Sequence, residues 1–491
     1  MTKPIAGIPE LSFWLKKKRG GSTVPGIVKE EWRYIDENFE TFVQELRSAV
    51  QKPSIAAQNV GMSEAAQYFR DLMESHGITA RIMPTRGGFP CVYGEVKGKS
   101  DKTVLFYDHY DVQPPDPLDE WESEPFSGDI RDGKMYARGV SDNKGNACAR
   151  IQAIGTLLKV RKELPLNVKF LIEGEEEIGS PHLAEFIEDN ADLLRADFGV
   201  WESGYMNPDG RPGMYLGVKG MLYVELEAKG ANKDMHSGSA THIPSAAWRL
   251  VWALASIKDA NENILIPGFY DDVLPPTERE IQLLEESLGE NGRGEPQDDE
   301  TEKLRARENA RALGLEEYLL GLYGTELRKR QLFSPTANIC GIKTGYIGEG
   351  QKTVLPARAM AKMDFRLVPD QDPDDILAKL RKHLASRGFA DIAVRVVSKD
   401  YPVKTPADLP VVDAARKAAE AVYGKPPVIA PTQGGSGPMY PFKKYLNLPM
   451  VAFGVGYWGS SNHGPNENIR LEDYRNGIKM VVQFLDELSR I

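Results

Sequence analysis

The stretch from Val104 to Ser180 constrains the fold most, because three apolar runs of strand length each stop at acidic or imidazole residues. The first, in VLFYDHYDVQP, stops at His109, followed by Tyr110 and Asp111. The next unit, YARGVSDNKGN, places Asp142 just ahead of a segment with helical apolar spacing, Ala147 to Val160. The third, LNVKFLIEGEEEIGS, runs out into Glu175, Glu176 and Glu177. A fourth strand, predicted over Asp197 to Trp201, ends at Glu202. Strand, polar residues, then helix is the order of an open α/β sheet, whose sites lie beyond the carboxyl ends of its strands. His109, Asp142 and the glutamates are therefore expected to converge.

The texture changes at Gly217. MLYVELEAKG and KTVLPARAMAKMDFRLVP alternate apolar and polar residues, as antiparallel strands with one wet face do. Helices are predicted near Pro244 and over DPDDILAKLRKHLASRG, with a strand at Asp391 to Val397. After it the α/β texture resumes, with a helix over Leu409 to Val422, a strand near Met450 to Phe453 and a helix over Leu471 to Leu488. The expected architecture is an α/β catalytic domain, residues 1–216 and 399–491, interrupted by an α+β domain over 217–398. Before the sheet, helices are expected over Lys29 to Val50 and over Glu64 to Ser75, the second capped by Ser63. ENGRGEPQDDE reads as an exposed loop.

A chain of 491 residues exceeds one ordinary core, which agrees with two domains. The net charge of −10 argues against nucleic acid, which requires a basic surface, and the run Lys16 to Arg19 is too short to supply one. No stretch is long and apolar enough to span a membrane, and the N-terminal charges follow its apolar residues, the reverse of a secretory signal. The cytoplasm is the expected compartment. Cys91, Cys148 and Cys340 are scattered without metal-ligand spacing, so buried thiols are expected.

Imidazole and carboxylate donors without cysteine suit a hydrolytic zinc site kept open to water. His109, Asp142, Glu177, Glu202 and the late His463 of NHGPNENI supply enough ligands for two ions if one carboxylate is shared. Asp111, two residues past His109, could accept that ring's other N–H. Spacing alone leaves an ordinary surface or capping role open for each of these residues.

HYDVQP, SDNKG, EGEEEIGS, the DMHSG around His236, KTVLP, FRLVP, GGSGPMY and NHGPNE together resemble the M20 family of dinuclear zinc peptidases and deacylases. The resemblance runs in order from about residue 50 to the C-terminus. It implies a zinc-peptidase-like catalytic domain with an inserted lid and dimerisation domain, working as a homodimer. It also implies two divalent metal ions per chain, zinc with cobalt or manganese as alternatives. His109 and Glu202 would hold one ion, Glu177 and His463 the other, and Asp142 would bridge them. Glu176 would be the general base, with Asp111 beside His109 counted among the catalytic residues and His236 reaching the site of a partner chain. Arg366, Thr353 and Ser436, within FRLVP, KTVLP and GGSGPMY, would bind substrate. Glu175, just before the paired glutamates, is read as a solvated or supporting carboxylate.

Two positions depart from the family's habit. Asp108 stands where glycine often precedes the metal histidine; it either adds negative charge near the site or caps a strand, and the cap is the preferred reading. Glu202 stands where the family's dipeptidases tend to carry aspartate and its carboxypeptidases and deacylases glutamate, whereas the wording of HYDVQP, FRLVP and GGSGPMY is closest to the dipeptidases. The implied activity is hydrolysis of an amide bond in a small carboxylate-bearing substrate, a dipeptide first. The alternatives are an N-acyl amino acid deacylase, a carboxypeptidase, or a non-catalytic binding protein on the same fold.

Overall fold

The computed structural model describes residues 29–288 and 298–491. The basic run Lys16 to Arg19 lies outside the described residues, as does most of the predicted ENGRGEPQDDE loop. The chain forms two compact units. One holds the residues up to Leu216 with Thr405–Ala430 and Pro441–Ile491; the other holds Gly217–Lys404 and Pro431–Tyr440.

The first unit is built on an eight-stranded sheet. At its centre four strands run parallel in the order Leu164–Glu173, Gly98–His109, Phe198–Trp201 and Met450–Ala452. The middle of the His109 strand, Val104 to Tyr107, is fully buried. A strand covered on both faces needs such a continuous apolar run. From His109 the chain goes out to pair on one side of this strand and later returns to pair on its other side. That reversal opens a crevice at the carboxyl ends, where open α/β sheets carry their sites.

The helix Lys144–Arg161 packs under the crevice and is buried on all sides from Lys144 to Leu157. Its amphipathic neighbours, Glu30–Val50 and Leu471–Leu488, and the helix Pro410–Tyr423 that packs against the latter, each bury one stripe and leave the other wet. The helix expected to be capped by Ser63 instead begins at Met62. Gly61 precedes it in the left-handed region, φ 69°, where an added Cβ would lie 1.8 Å from the Pro53 carbonyl oxygen. Backbone geometry starts this helix, since no side chain caps it.

In the second unit a four-stranded antiparallel sheet runs in the order Thr336–Thr344, Arg358–Leu367, Gly220–Lys229 and Ala393–Asp400. The helices Ala246–Ile257 and Pro373–Ser386 bury Leu250, Ala253, Ile257, Ile376 and Leu380 against Leu222, Val224, Leu226, Met363 and Phe365. The alternate residues Tyr223, Glu225, Asp364 and Arg366 belong to the opposite face, as the period of two demands. Asp372 and Ser245 cap the two helices; Pro244 stands just outside its helix. The short pair of Gly217–Val218 with Val403–Lys404 extends this unit past residue 398, and Gln433 donates to the Gly217 carbonyl, drawing in the 431–440 segment. Cys91 and Cys148 are buried, whereas Cys340 is exposed on the outer strand, contrary to the expectation of three buried thiols. No helix among the described residues is long and apolar enough to cross a membrane.

Candidate metal centre

Five of the eleven site residues named from sequence meet at the crevice of the first unit. His109 ends its strand, Asp142 precedes the buried helix, Glu177 lies in a 3-10 turn beyond the Glu173 strand, Glu202 follows Trp201, and His463 sits in the late loop. His109 Nε2 lies 3.0 Å from Asp142 Oδ1 and 3.6 Å from Glu202 Oε2. His463 Nε2 lies 3.2 Å from the other Asp142 oxygen and 3.3 Å from Glu177 Oε2. Asp142 thus turns one oxygen to each imidazole, the arrangement a bridging carboxylate requires. Donor atoms of Asp142, Glu177 and His463 all lie within 4.8 Å of one another.

The charge state tests whether this cluster suits a cation. Burial raises the Glu202 carboxyl to about 8 against the opposing pull of His109. Burial and then the Glu202 charge push Glu176 well above the carboxylate range. The hydrogen bond to Asp142 and then that to Glu177 raise the His463 imidazole to about 10. Burial acts to raise Asp142, but hydrogen bonds from His109 and His463 outweigh it and hold it below its ordinary value. Glu202 Oε2 is buried with no hydrogen-bond partner. Crowded carboxylates that drive protons onto their neighbours, and a buried carboxylate oxygen without a donor, are the surroundings a divalent cation neutralises. The donor set fits such an ion.

Neighbouring groups fix the ligand-bearing segments. The Asp111 carboxylate accepts from the backbone N–H groups of Glu176 and Glu177, at 3.2 and 2.9 Å. It therefore anchors the turn that presents both glutamates. His109 Nδ1 faces the Asp111 carbonyl at 3.0 Å, with the carboxylate slightly farther at 3.4 Å, so the backbone is its nearer partner. Gln113 donates to Glu177 Oε2 at 2.9 Å. Glu175 is buried and paired with His182 at 2.8 Å, which corrects the solvated reading.

Several residues that sequence reasoning passed over do comparable work. Glu467 is fully buried and accepts from Arg138, Gly139, Ser141 and Asp142. Arg138 also donates to the His463 carbonyl at 3.0 Å, so this ion pair ties the Asp142 and His463 loops together. Asn462 donates to Asp142 Oδ2 and to the Tyr205 hydroxyl. Asn462 and Glu467 are the first and last residues of NHGPNE, and Arg138 belongs to YARGVSDNKGN, so the signal was membership of the segments that carry His463 and Asp142. His463 itself has φ 61°, a left-handed conformation that a non-glycine residue adopts at a cost, as residues at functional sites often do.

His236, Thr353, Arg366 and Ser436 lie in the second unit. His236 and Val354 pair in a two-residue ladder, the Ser237 N–H donates to the Thr353 carbonyl, and the exposed His236 ring accepts from the Gly238 N–H. Arg366 donates to Ser436 Oγ at 2.9 Å and to Asp364 at 3.2 Å. It lines a cavity of about 670 Å³ together with Lys219, Thr336 and Gly434.

The Peptidase family M20/M25/M40 model matches residues 105–487. The chain belongs to that family. It is 29% identical to Beta-Ala-His dipeptidase of Rattus norvegicus over 95% of this chain and 96% of that one. It is 27% identical to the Cys-Gly metallodipeptidase dug1 of Schizosaccharomyces pombe, over 94% and 98%. Among solved structures, the M20 family metallo-carboxypeptidase Sso-CP2 of Sulfolobus solfataricus superposes with a TM-score of 0.82 at 39% identity, covering 94% of this chain and all of that one. Human carnosine dipeptidase 1 gives 0.74 at 28%, covering 96% and 100%. This M20 chain is a metal-dependent peptidase with a catalytic domain and an inserted second domain.

Proposed function

We propose that this M20 peptidase is a cytoplasmic dipeptidase that binds two zinc ions per chain, His109 and Glu202 holding one, Glu177 and His463 the other, and Asp142 both. The observation that carries the proposal is the division of the Asp142 oxygens between the two imidazoles. Zinc bound there would acidify water towards pKa about 7 and polarise the scissile carbonyl.

The protein's own groups do the rest. Glu176 takes a proton from water and returns it to the leaving amine, the exchange a positioned carboxylate performs as general base and then general acid. Asp111 fixes the backbone from which Glu176 projects. Arg366, oriented by Ser436 and Asp364, takes the substrate's terminal carboxylate through its planar fork, with Thr353 beside His236 on the same unit. His236 donates to the developing oxyanion of a partner chain's substrate, which makes the working enzyme a homodimer.

One observation favours a second reading: a solved M20 metallo-carboxypeptidase shares 39% identity with this chain. A panel of dipeptides, longer peptides and acetyl or succinyl amino acids separates the two, run with zinc, cobalt and manganese. The dipeptidase reading expects dipeptides to give the highest kcat/KM; faster cleavage of longer peptides makes the enzyme a carboxypeptidase, and of acyl amino acids a deacylase. Within the panel, Arg366→Lys raises KM for dipeptides and spares their C-terminal amides. Equal losses on both would remove Arg366 from carboxylate binding.

A further inference from the structure

A buried arginine that takes no part in the proposed reaction joins the segments bearing three of the candidate ligands. Arg150 lies on the helix Lys144–Arg161, two turns after Asp142, and its side chain is 2% exposed. Its Nη1 donates to the Tyr107 carbonyl at 2.7 Å; Nη2 donates to the Trp201 carbonyl at 2.6 Å and the Phe453 carbonyl at 3.2 Å. These carbonyls lie where the parallel ladder runs out. The His109 strand pairs with the Trp201 strand only as far as Phe106 with Val200, and the Trp201 strand pairs with its other neighbour as far as Trp201 with Ala452.

Where strands splay to open a crevice, carbonyls lose their ladder donors, and a buried carbonyl without a donor is costly. Arg150 supplies those donors from one rigid plane. Glu202 follows Trp201 directly, His109 is two residues beyond Tyr107, and Asp142 precedes the helix that carries Arg150.

The charge of this guanidinium needs a partner in the interior, and Asp108 provides it at 2.9 Å. Asp108 is fully buried and neither of its oxygens has a hydrogen-bond partner, so balancing Arg150 is the contact it makes. The reading of Asp108 as a strand cap is thereby corrected. Asp108 directly precedes His109, so the charge pair with Arg150 lies next to that residue.

We propose that Arg150, charge-balanced by Asp108, is a positioning residue that sets the separation of His109 and Glu202, and with it the affinity of the metal position those two form. The inference rests on the two-metal reading above. Lysine at this position keeps a charge but has a compact ammonium in place of the planar fork that spans three carbonyls. The test compares the parent, Arg150→Lys and Asp108→Asn after metal stripping. It measures zinc affinity by chelator competition, the visible spectrum of the cobalt-loaded proteins, thermal midpoint and dipeptide turnover.

In Arg150→Lys one zinc is expected to bind as in the parent and the other about 10- to 100-fold more weakly, the usual effect of removing a group that orients ligands. The cobalt spectrum should change, and excess zinc should restore turnover. Asp108→Asn keeps the three carbonyl bonds and should weaken the same zinc by a smaller factor. Combined with Arg150→Lys it should add less than its single effect, because the two residues act as a unit. Parental zinc affinities and cobalt spectra in both variants overturn the proposal. A lower thermal midpoint with unchanged affinity also overturns it, leaving Arg150 a support of the fold alone. Should Arg150→Lys not fold, selective weakening of one zinc in Asp108→Asn still decides. A parent that binds no metal overturns the two-metal reading and this inference with it; a two-zinc parent beside unaffected variants overturns this inference alone.

Discussion

At the scale of single residues, the site separates side chains that offer oxygen or nitrogen to a cation from those that hold them in place. Glu176 belongs to neither group in the proposed scheme, since its role is to carry a proton. Glu176→Gln is expected to retain parental metal content by elemental analysis while turnover falls by about 10²- to 10⁴-fold, the range for losing a general base. Near-parental turnover would assign proton transfer elsewhere. A second residue prediction concerns Lys219, whose ammonium is buried beside Arg366 and donates to the Ser334 carbonyl. Burial, and then the Arg366 charge, lower its pKa to about 8, against about 10.4 in the unfolded chain. Between those values the unfolded chain binds more protons, so the contribution of Lys219 to stability rises with pH across that window. Comparing urea midpoints of the parent and Lys219→Met from pH 7.5 to about 10 isolates the effect. The parent should gain on the variant as pH rises, whatever constant offset the lost hydrogen bond adds.

At the scale of elements, two parts of the inserted unit keep apolar surface uncovered. The outer strand Thr336–Thr344 pairs on one side only among the described residues and exposes Ile339 and Ile342. The helix Ala246–Ile257 exposes Val251 and a stacked pair, Trp248 and Trp252, with ring centroids 5.8 Å apart. A free strand edge and an apolar helix face are the surfaces through which chains associate. Trp252→Glu is therefore expected to shift the protein from dimer to monomer by light scattering. It should leave metal content unchanged, because the proposed metal ligands belong to the other unit. A variant that remains dimeric would place the interface elsewhere.

At the scale of the whole molecule, the proposed completion of the site by His236 of a second chain would make activity a property of the pair. His236→Ala and Glu176→Ala should each be nearly inactive alone, the first because loss of one oxyanion donor typically costs about 10²- to 10³-fold. After subunit exchange the mixture should recover up to about a quarter of parental activity, since half the dimers are mixed and each of those has one intact site. Verified exchange without recovery, or a fully active His236→Ala, would refute the shared site.

Much of this protein was legible in the chain itself. The strands ending at His109, Glu173 and Trp201 follow from apolar runs that only a doubly covered parallel sheet can bury, and the alternation after Gly217 follows from a sheet with one wet face. Strand ends are local features, so the residues beyond them could be named before their neighbours were known. The tertiary structure decided what depends on neighbours distant in sequence. It drew Arg138 to Glu467, paired Asp108 with Arg150 and gave one Asp142 oxygen to each imidazole. It also buried Glu175, for which sequence left a solvated or a supporting role open, and exposed Cys340, which sequence left inside. A polar side chain has no pattern that announces its burial, because the free energy of burying it is set by whether the fold brings it a partner.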